Sequence, residues 1–264
     1  MTTSQVPAPP AGTSAPTRRE RVREATLLEI KETARRHLVE FGPAGVSLRA
    51  VAREMGMTAP GLYRYVPGID ALLVAVTADL FDELASAVAA ADASVPDHDT
   101  DQRILSSLRA FRTWAVGHRA EFAIMFGPRR APEADISPAV AAGRRFGATF
   151  FTLFDRLLAE RRFPLPDDES VPADLARELR SFASTCGTDA DRVPVTAIKV
   201  LASCWVRLYG VVCMEVFEHM HFAMTDMNPL FEAELHDVLT ELGVRYTPPG
   251  DEDEAAAHSS ESSD

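Results

Sequence analysis

Side chains of a type and spacing that could do chemistry concentrate in one stretch, residues 45–73, which reads GVSLRAVAREMGMTAPGLYRYVPGIDALL. Arg49 and Arg64 bring fork-shaped guanidinium donors, which match paired acceptors such as guanine O6/N7. Tyr63 and Tyr65 offer hydroxyls on rigid rings, suited to phosphates, and such contacts position a protein without reading sequence. Ser47 and Thr58 carry hydroxyls placed to accept from orphaned N–H groups at helix starts. Other chemistries are poorly supplied. Seven His are scattered, and no nucleophile–base spacing or glycine-rich phosphate loop is present, so no catalytic residue is assigned. Glu215, Glu218, His219 and His221 come nearest to a metal set, but on an ideal helix His221 falls about 200° from His219. Neither a metal nor another cofactor is expected. Cys186, Cys204 and Cys213 form no C-x-x-C, a usage that fits a reducing compartment.

The elements that must position this stretch are helical. Leu27, Ile30, Ala34, Leu38 and Phe41 recur at three- and four-residue spacing, one face of a helix that Gly42 and Pro43 stop. Two short helices joined by a tight turn follow. Ser47 caps the first, whose Val51, Ala52 and Met55 turn inward, and Gly56 supplies a left-handed residue. Thr58 caps the second, with Pro60 in its first turn, and Leu62 and Val66 anchor about two turns of it. Its free N-terminal end gives the geometry of a helix-turn-helix recognition helix. Further helices are expected near 69–91, 102–127, 138–161, 172–185, 194–222 and 229–242, with a Pro-rich break at 163–172. No alternating run of strand length occurs. The fold class is all-α, a three-helix N-terminal domain followed by a helical bundle.

Composition sets bounds on this. Hydrophobic residues make up 46% and charged residues 25%, enough apolar material for a core. The net charge is −12, yet residues 1–76 carry ten basic and seven acidic side chains, a net +3. A basic module on an acidic body is a signature of an interaction head. Residues 1–17 and the acidic tail 247–264 read as unstructured. Residues 18–75 then form the head and 76–246 the body. The start lacks the apolar run of a secretory signal. Lys199, Arg207 and Glu215 interrupt the most apolar stretch, 193–217, short of a membrane span. A cytoplasmic protein without membrane contact is expected.

The pattern S-L-R-x-V-A-x-x-M-G-M-T-x-x-x-L-Y-x-Y-V-x-x-x-x-x-L-L resembles the DNA-binding domain of TetR/AcrR-type transcriptional regulators over residues 18–75. The resemblance implies a homodimer on a palindromic double-stranded DNA operator, with a helical body that binds a small-molecule effector. It implies repression by occupancy, relieved by an apolar or amphipathic ligand. Carried over by position, Ser47 touches a phosphate, Arg49 approaches the major groove, and Thr58, Ala59, Pro60, Gly61, Tyr63, Arg64 and Tyr65 lie at the groove. Many relatives have Lys where this chain has Ile69, beside Asp70. Arg18, Arg19, Arg21 and Arg23, in a flexible leader, could supply that charge, or could be a solvated helix start paired with Glu20 and Glu24. The Ile69 departure, Gly61 and the net charge leave a protein-interaction module with a silent head as the alternative.

The body resembles a C-terminal domain named for its Trp-His-Gly motif, with Trp205, Tyr209 and Gly210 in that motif and Tyr where His is usual. Trp114, Phe122, Met125, Phe126, Phe150, Phe154, Trp205, Tyr209 and Met214 are candidate pocket residues, with plain core packing as the other reading for each. Trp205 and Tyr209, one turn apart with polar tips, are the preferred ligand contacts. By the same resemblance, the last two long helices form a four-helix dimer interface, with Ala197, Leu201, Leu208, Val212 and Val216 as seam residues.

Overall fold

The computed structural model describes residues 17–127, 137–160, 162–165, 167–189 and 192–250. The chain divides into two units, one through Leu72 and the other from Leu73. Every regular element among the described residues is helical.

The first unit holds α1 (Arg18–Phe41), α2 (Leu48–Glu54) and α3 (Ala59–Leu62). Ile30, Ala34 and Leu38 are buried as the spacing requires, whereas Phe41, the last residue of α1, is exposed. A capping box starts α1: Glu20 N–H donates to the Thr17 hydroxyl and Thr17 N–H to the Glu20 carboxylate. The arginines at 18, 19, 21 and 23 therefore stand on a helix and not on a flexible leader. The Thr-x-x-Glu signature announces this start, inside a charged run that reads as solvated leader. Of the two segments expected to lack structure, residues 1–16 and 251–264 lie outside the described residues.

α4 (Ile69–Ala93) carries the chain into the second unit, which continues with α5 (Thr100–Gly117), α6 (Arg119–Phe126), α7 (Pro138–Ala159), α8 (Ala173–Thr185), α9 (Val195–Val216) and α10 (Asn228–Glu241). The expected helix at 102–127 is broken at His118, which leaves helical geometry at φ −130°. Its ring stacks on Trp114, and its Nδ1 lies 2.9 Å from the Trp114 carbonyl oxygen. The expected helix at 194–222 stops at Val216, because Glu218 takes φ 57° and turns the chain. A short 3-10 turn, Asp168–Ser170, occupies part of the Pro-rich break.

α9 is the central helix of this unit, packed against α5, α6, α7, α8 and α10. Ala197, Leu208, Val212 and Val216 are buried by the chain's own helices, so they cannot be seam residues for a partner, and Leu201 is half-buried against the core around Leu179 and Ile198. The outward face carries Val206, 66% exposed, and Met214, 43% exposed. α9 is long and apolar enough to cross a membrane, contrary to the expectation from its charges. In this fold one side of it packs against other helices. Glu215, expected to be solvated or at an interface, is buried and takes a two-pronged ion pair from Arg112 at 2.6 and 2.8 Å. Arg112 also donates to the Asn228 side chain at 2.6 Å, tying α5 to α9 and the start of α10.

Candidate nucleic-acid interface

The interface is built from its caps upward. Ser47 Oγ accepts from Ala50 N–H at 3.2 Å, which sets the first turn of α2. Arg49, the next turn-forming residue but one, projects to solvent, while Leu48, Val51 and Ala52 are buried. α2 ends in a Schellman arrangement. Gly56 N–H bonds to Arg53 O at 3.2 Å and Met57 N–H to Ala52 O at 2.8 Å, with Gly56 at φ 63°. Only glycine takes that conformation without strain. Met55 is half-buried, not fully inward.

Thr58 Oγ1 then accepts from Gly61 N–H at 3.2 Å and starts α3. Regular α-helix lasts one turn rather than the expected two. It continues as a looser turn through Arg64 N–H to Gly61 O at 3.3 Å and Tyr65 N–H to Leu62 O at 2.9 Å. Pro67 stops any further helix. Leu62 and Val66 are buried, Thr58, Pro60, Tyr63 and Arg64 are exposed, and Ala59, Gly61 and Tyr65 are partly so. α2 packs on both α1 and α3. One side of the α2–turn–α3 unit is therefore anchored, and the arginines and Tyr63 stand on the solvent side.

Two supports escape sequence reading. His37, buried on α1, places Nε2 2.5 Å from Glu54 Oε2 at the end of α2, and Arg36 donates to Glu54 Oε1 at 2.7 Å. Arg36 first, and His37 second, hold the Glu54 carboxyl below its usual range. Arg23, in α1, donates from Nη1 to the Arg64 carbonyl oxygen at 3.2 Å and lies over the Tyr65 ring. Nothing in the local pattern marks these long-range contacts, since both partners are ordinary surface types.

In the body, the candidate pocket residues do not form one cavity. Phe111, Phe122, Phe126, Phe146, Phe150, Trp205 and Tyr209 pack as a continuous chain of rings 4.6–6.3 Å apart. Trp114 spends its indole N–H on Glu83 at 3.0 Å. Tyr209 stacks on Trp205, and its hydroxyl bonds to the Cys213 thiol one turn on; burial pushes both groups upward in pKa. Met125 is half-buried beside this cluster. Met214 is corrected: nine residues from Trp205, it sits about 180° around α9 and faces outward. Phe150, Phe154 and Trp205 do line a common space, a small apolar cavity of about 50 Å³ between α5, α7, α9 and α10. A wider open groove of about 920 Å³, which sequence reading missed, runs beside Phe151, Asp155, Phe163 and Cys186. Among the described residues, no group of three or more His, Cys, Asp or Glu side chains could hold a metal.

A doubly capped helix–turn–helix with guanidinium donors on its open side, followed by an all-helical body, defines a helix-turn-helix DNA-binding regulator. Comparison with known proteins narrows the class. Residues 30–76 match the family described as bacterial regulatory proteins, tetR family, and residues 104–238 match the tetracyclin repressor-like C-terminal domain. The HTH-type transcriptional regulator Rv1816 of Mycobacterium tuberculosis is 31% identical over 220 residues, covering 82% of this chain and 92% of the relative. Its counterpart Mb1846 of Mycobacterium bovis matches to the same extent. Among solved structures, SCO4313 aligns with a TM-score of 0.63 at 28% identity, over 85% of this chain and all of that one. A Rhodococcus protein of unknown function shares the fold, with a TM-score of 0.60 at 20% identity, over 82% of this chain and 93% of that one. The chain belongs to the TetR family of transcriptional regulators.

Proposed function

We propose that this regulator is a cytoplasmic, ligand-responsive repressor that binds a palindromic operator as a homodimer. The observation that carries the DNA half is the α2–turn–α3 unit, with its apolar side buried and Arg49, Tyr63 and Arg64 exposed on the other. In this reading Arg49 and Arg64 meet base edges. Ser47, Thr58, Ala59, Pro60, Gly61, Tyr63 and Tyr65 line the groove or its phosphates and fix the register. Two-fold symmetry lets two weak half-site contacts combine about one helical turn apart, ~34 Å.

The outward face of α9 supports the dimer. Val206, Gly210 and Met214 follow at four-residue steps, with open space beside Gly210. The missing side chain at Gly210 lets a partner helix approach closely. The effector is an apolar or amphipathic molecule that opens the Phe150, Phe154 and Trp205 cavity. It must favour one state over the other, or it shifts nothing.

The test is a gel-shift titration against the intergenic DNA beside the protein's own coding sequence, at two salt concentrations. A discrete complex that resists competitor and weakens with salt is expected. Failure there, and again with genome-wide fragments, would overturn the DNA reading in favour of an interaction module.

A further inference from the structure

Arg23 lies in the second turn of α1, outside the helix-turn-helix, yet its guanidinium is engaged at the far end of α3. Its Nη1 donates to the Arg64 carbonyl oxygen at 3.2 Å, and its guanidinium carbon is 5.5 Å from the centre of the Tyr65 ring. Carbonyls at a helix C-terminus lack intrahelical donors and gather partial negative charge, which a cation offsets. α3 is short, and past it the chain runs on as a single turn, with Arg64 N–H to Gly61 O at 3.3 Å, Tyr65 N–H to Leu62 O at 2.9 Å and Val66 N–H to Leu62 O at 3.2 Å. The backbone from which the Arg64 side chain departs thus lies beyond the regular α-helix.

We propose that Arg23 is a positioning residue for sequence reading: it pins the Arg64 main chain and the Tyr65 ring so that the Arg64 guanidinium meets base edges in one orientation. The inference rests on the reading of Arg64 as a base contact. An exposed arginine has a competing role, a direct phosphate contact, and the two leave different signatures. A lost phosphate contact weakens binding to all sequences alike and makes the salt dependence shallower. A lost positioning contact removes selectivity, and only while Arg64 is present to be positioned.

The experiment uses the full chain and a duplex enriched from a random-sequence library by the wild-type protein, with a scrambled duplex as reference. Arg23→Gln, Arg23→Lys, Arg64→Ala and the double variant Arg23→Gln/Arg64→Ala are compared. Arg23→Gln is expected to reduce the preference for the enriched duplex roughly tenfold, within the range of one misplaced base contact. The salt slope and thermal midpoint should stay at wild-type values. Arg23→Lys, which can still donate to the carbonyl, should recover most of the preference, and Arg23→Gln should add almost nothing to Arg64→Ala. A uniform loss with a shallower slope, an additive double variant, unchanged selectivity, or a fall in thermal midpoint that accounts for the loss would each overturn the inference alone. If no duplex is enriched, or Arg64→Ala leaves selectivity intact, the base-contact reading fails and the inference falls with it.

Discussion

Arg49 and Arg64 differ in what holds them. Arg49 projects from the capped first turn of α2, whereas Arg64 hangs from the turn after α3. In the proposed base-contact reading, replacing either by Ala should weaken operator binding by ~1–3 kcal/mol and relax the preference at one base, as measured by titration on single-base operator variants. Ser47→Ala should behave otherwise. It removes the hydroxyl that accepts from Ala50 N–H, so stability should fall by about 1 kcal/mol in thermal or denaturant unfolding. Its effect on affinity should be uniform across sequences, because the contact proposed for it is to a phosphate, which carries no base information. In the body, Glu215→Ala leaves the Arg112 guanidinium largely buried without its two-pronged partner. Breaking such a pair from one side costs on the order of 3 kcal/mol, which a denaturation midpoint would register.

Elements were legible where their signals were local. The α2–turn–α3 unit could be read directly because Ser47, Gly56 and Thr58 each act within a few residues, and Val51, Ala52, Leu62 and Val66 lie inward as their spacing requires. The end of α9 was hidden because a glutamate, Glu218, takes the left-handed conformation that glycine usually marks. The α5–α6 break was hidden because His118 turns the chain through contacts with Trp114 that no propensity encodes. The start of α9 depends on a residue 27 positions away. Asp168 accepts from Thr196 N–H at 3.2 Å and its hydroxyl at 2.9 Å, and from Val195 N–H at 3.4 Å. The Thr196 backbone N–H is the largest cause holding the Asp168 carboxyl below the usual aspartate range. The unfolded chain therefore binds this proton more readily than the folded one. The stabilisation is fully present above the ordinary carboxylate range and is lost as pH falls through the lowered folded value. Asp168→Asn should be less stable than wild type at neutral pH, with the difference shrinking in acid, as followed by circular dichroism across an acid titration.

At the scale of the whole molecule, periodicity identified α9 as apolar but not which of its sides faces home. A helix apolar on nearly every side carries little directional signal, and the residues first assigned to a partner, Leu208 and Val212 among them, prove to be covered by the chain's own helices. What remains outward is Val206 and Met214, with Gly210 between them at partial exposure. An apolar stripe left open on the central helix of the body is a surface that a second copy can cover. In the proposed homodimer, Val206→Glu should therefore give a monomer in light scattering. The monomer should keep its helical content, since Val206 contributes little to the chain's own core. Operator affinity should fall steeply with the dimer, because each head alone retains only its half-site contacts, while binding to non-specific DNA should change far less. Leu175→Glu, at an exposed apolar position on α8, serves as the control and should leave both assembly and affinity unchanged. If Val206→Glu remains a dimer with full operator affinity, the seam does not lie on this face of α9.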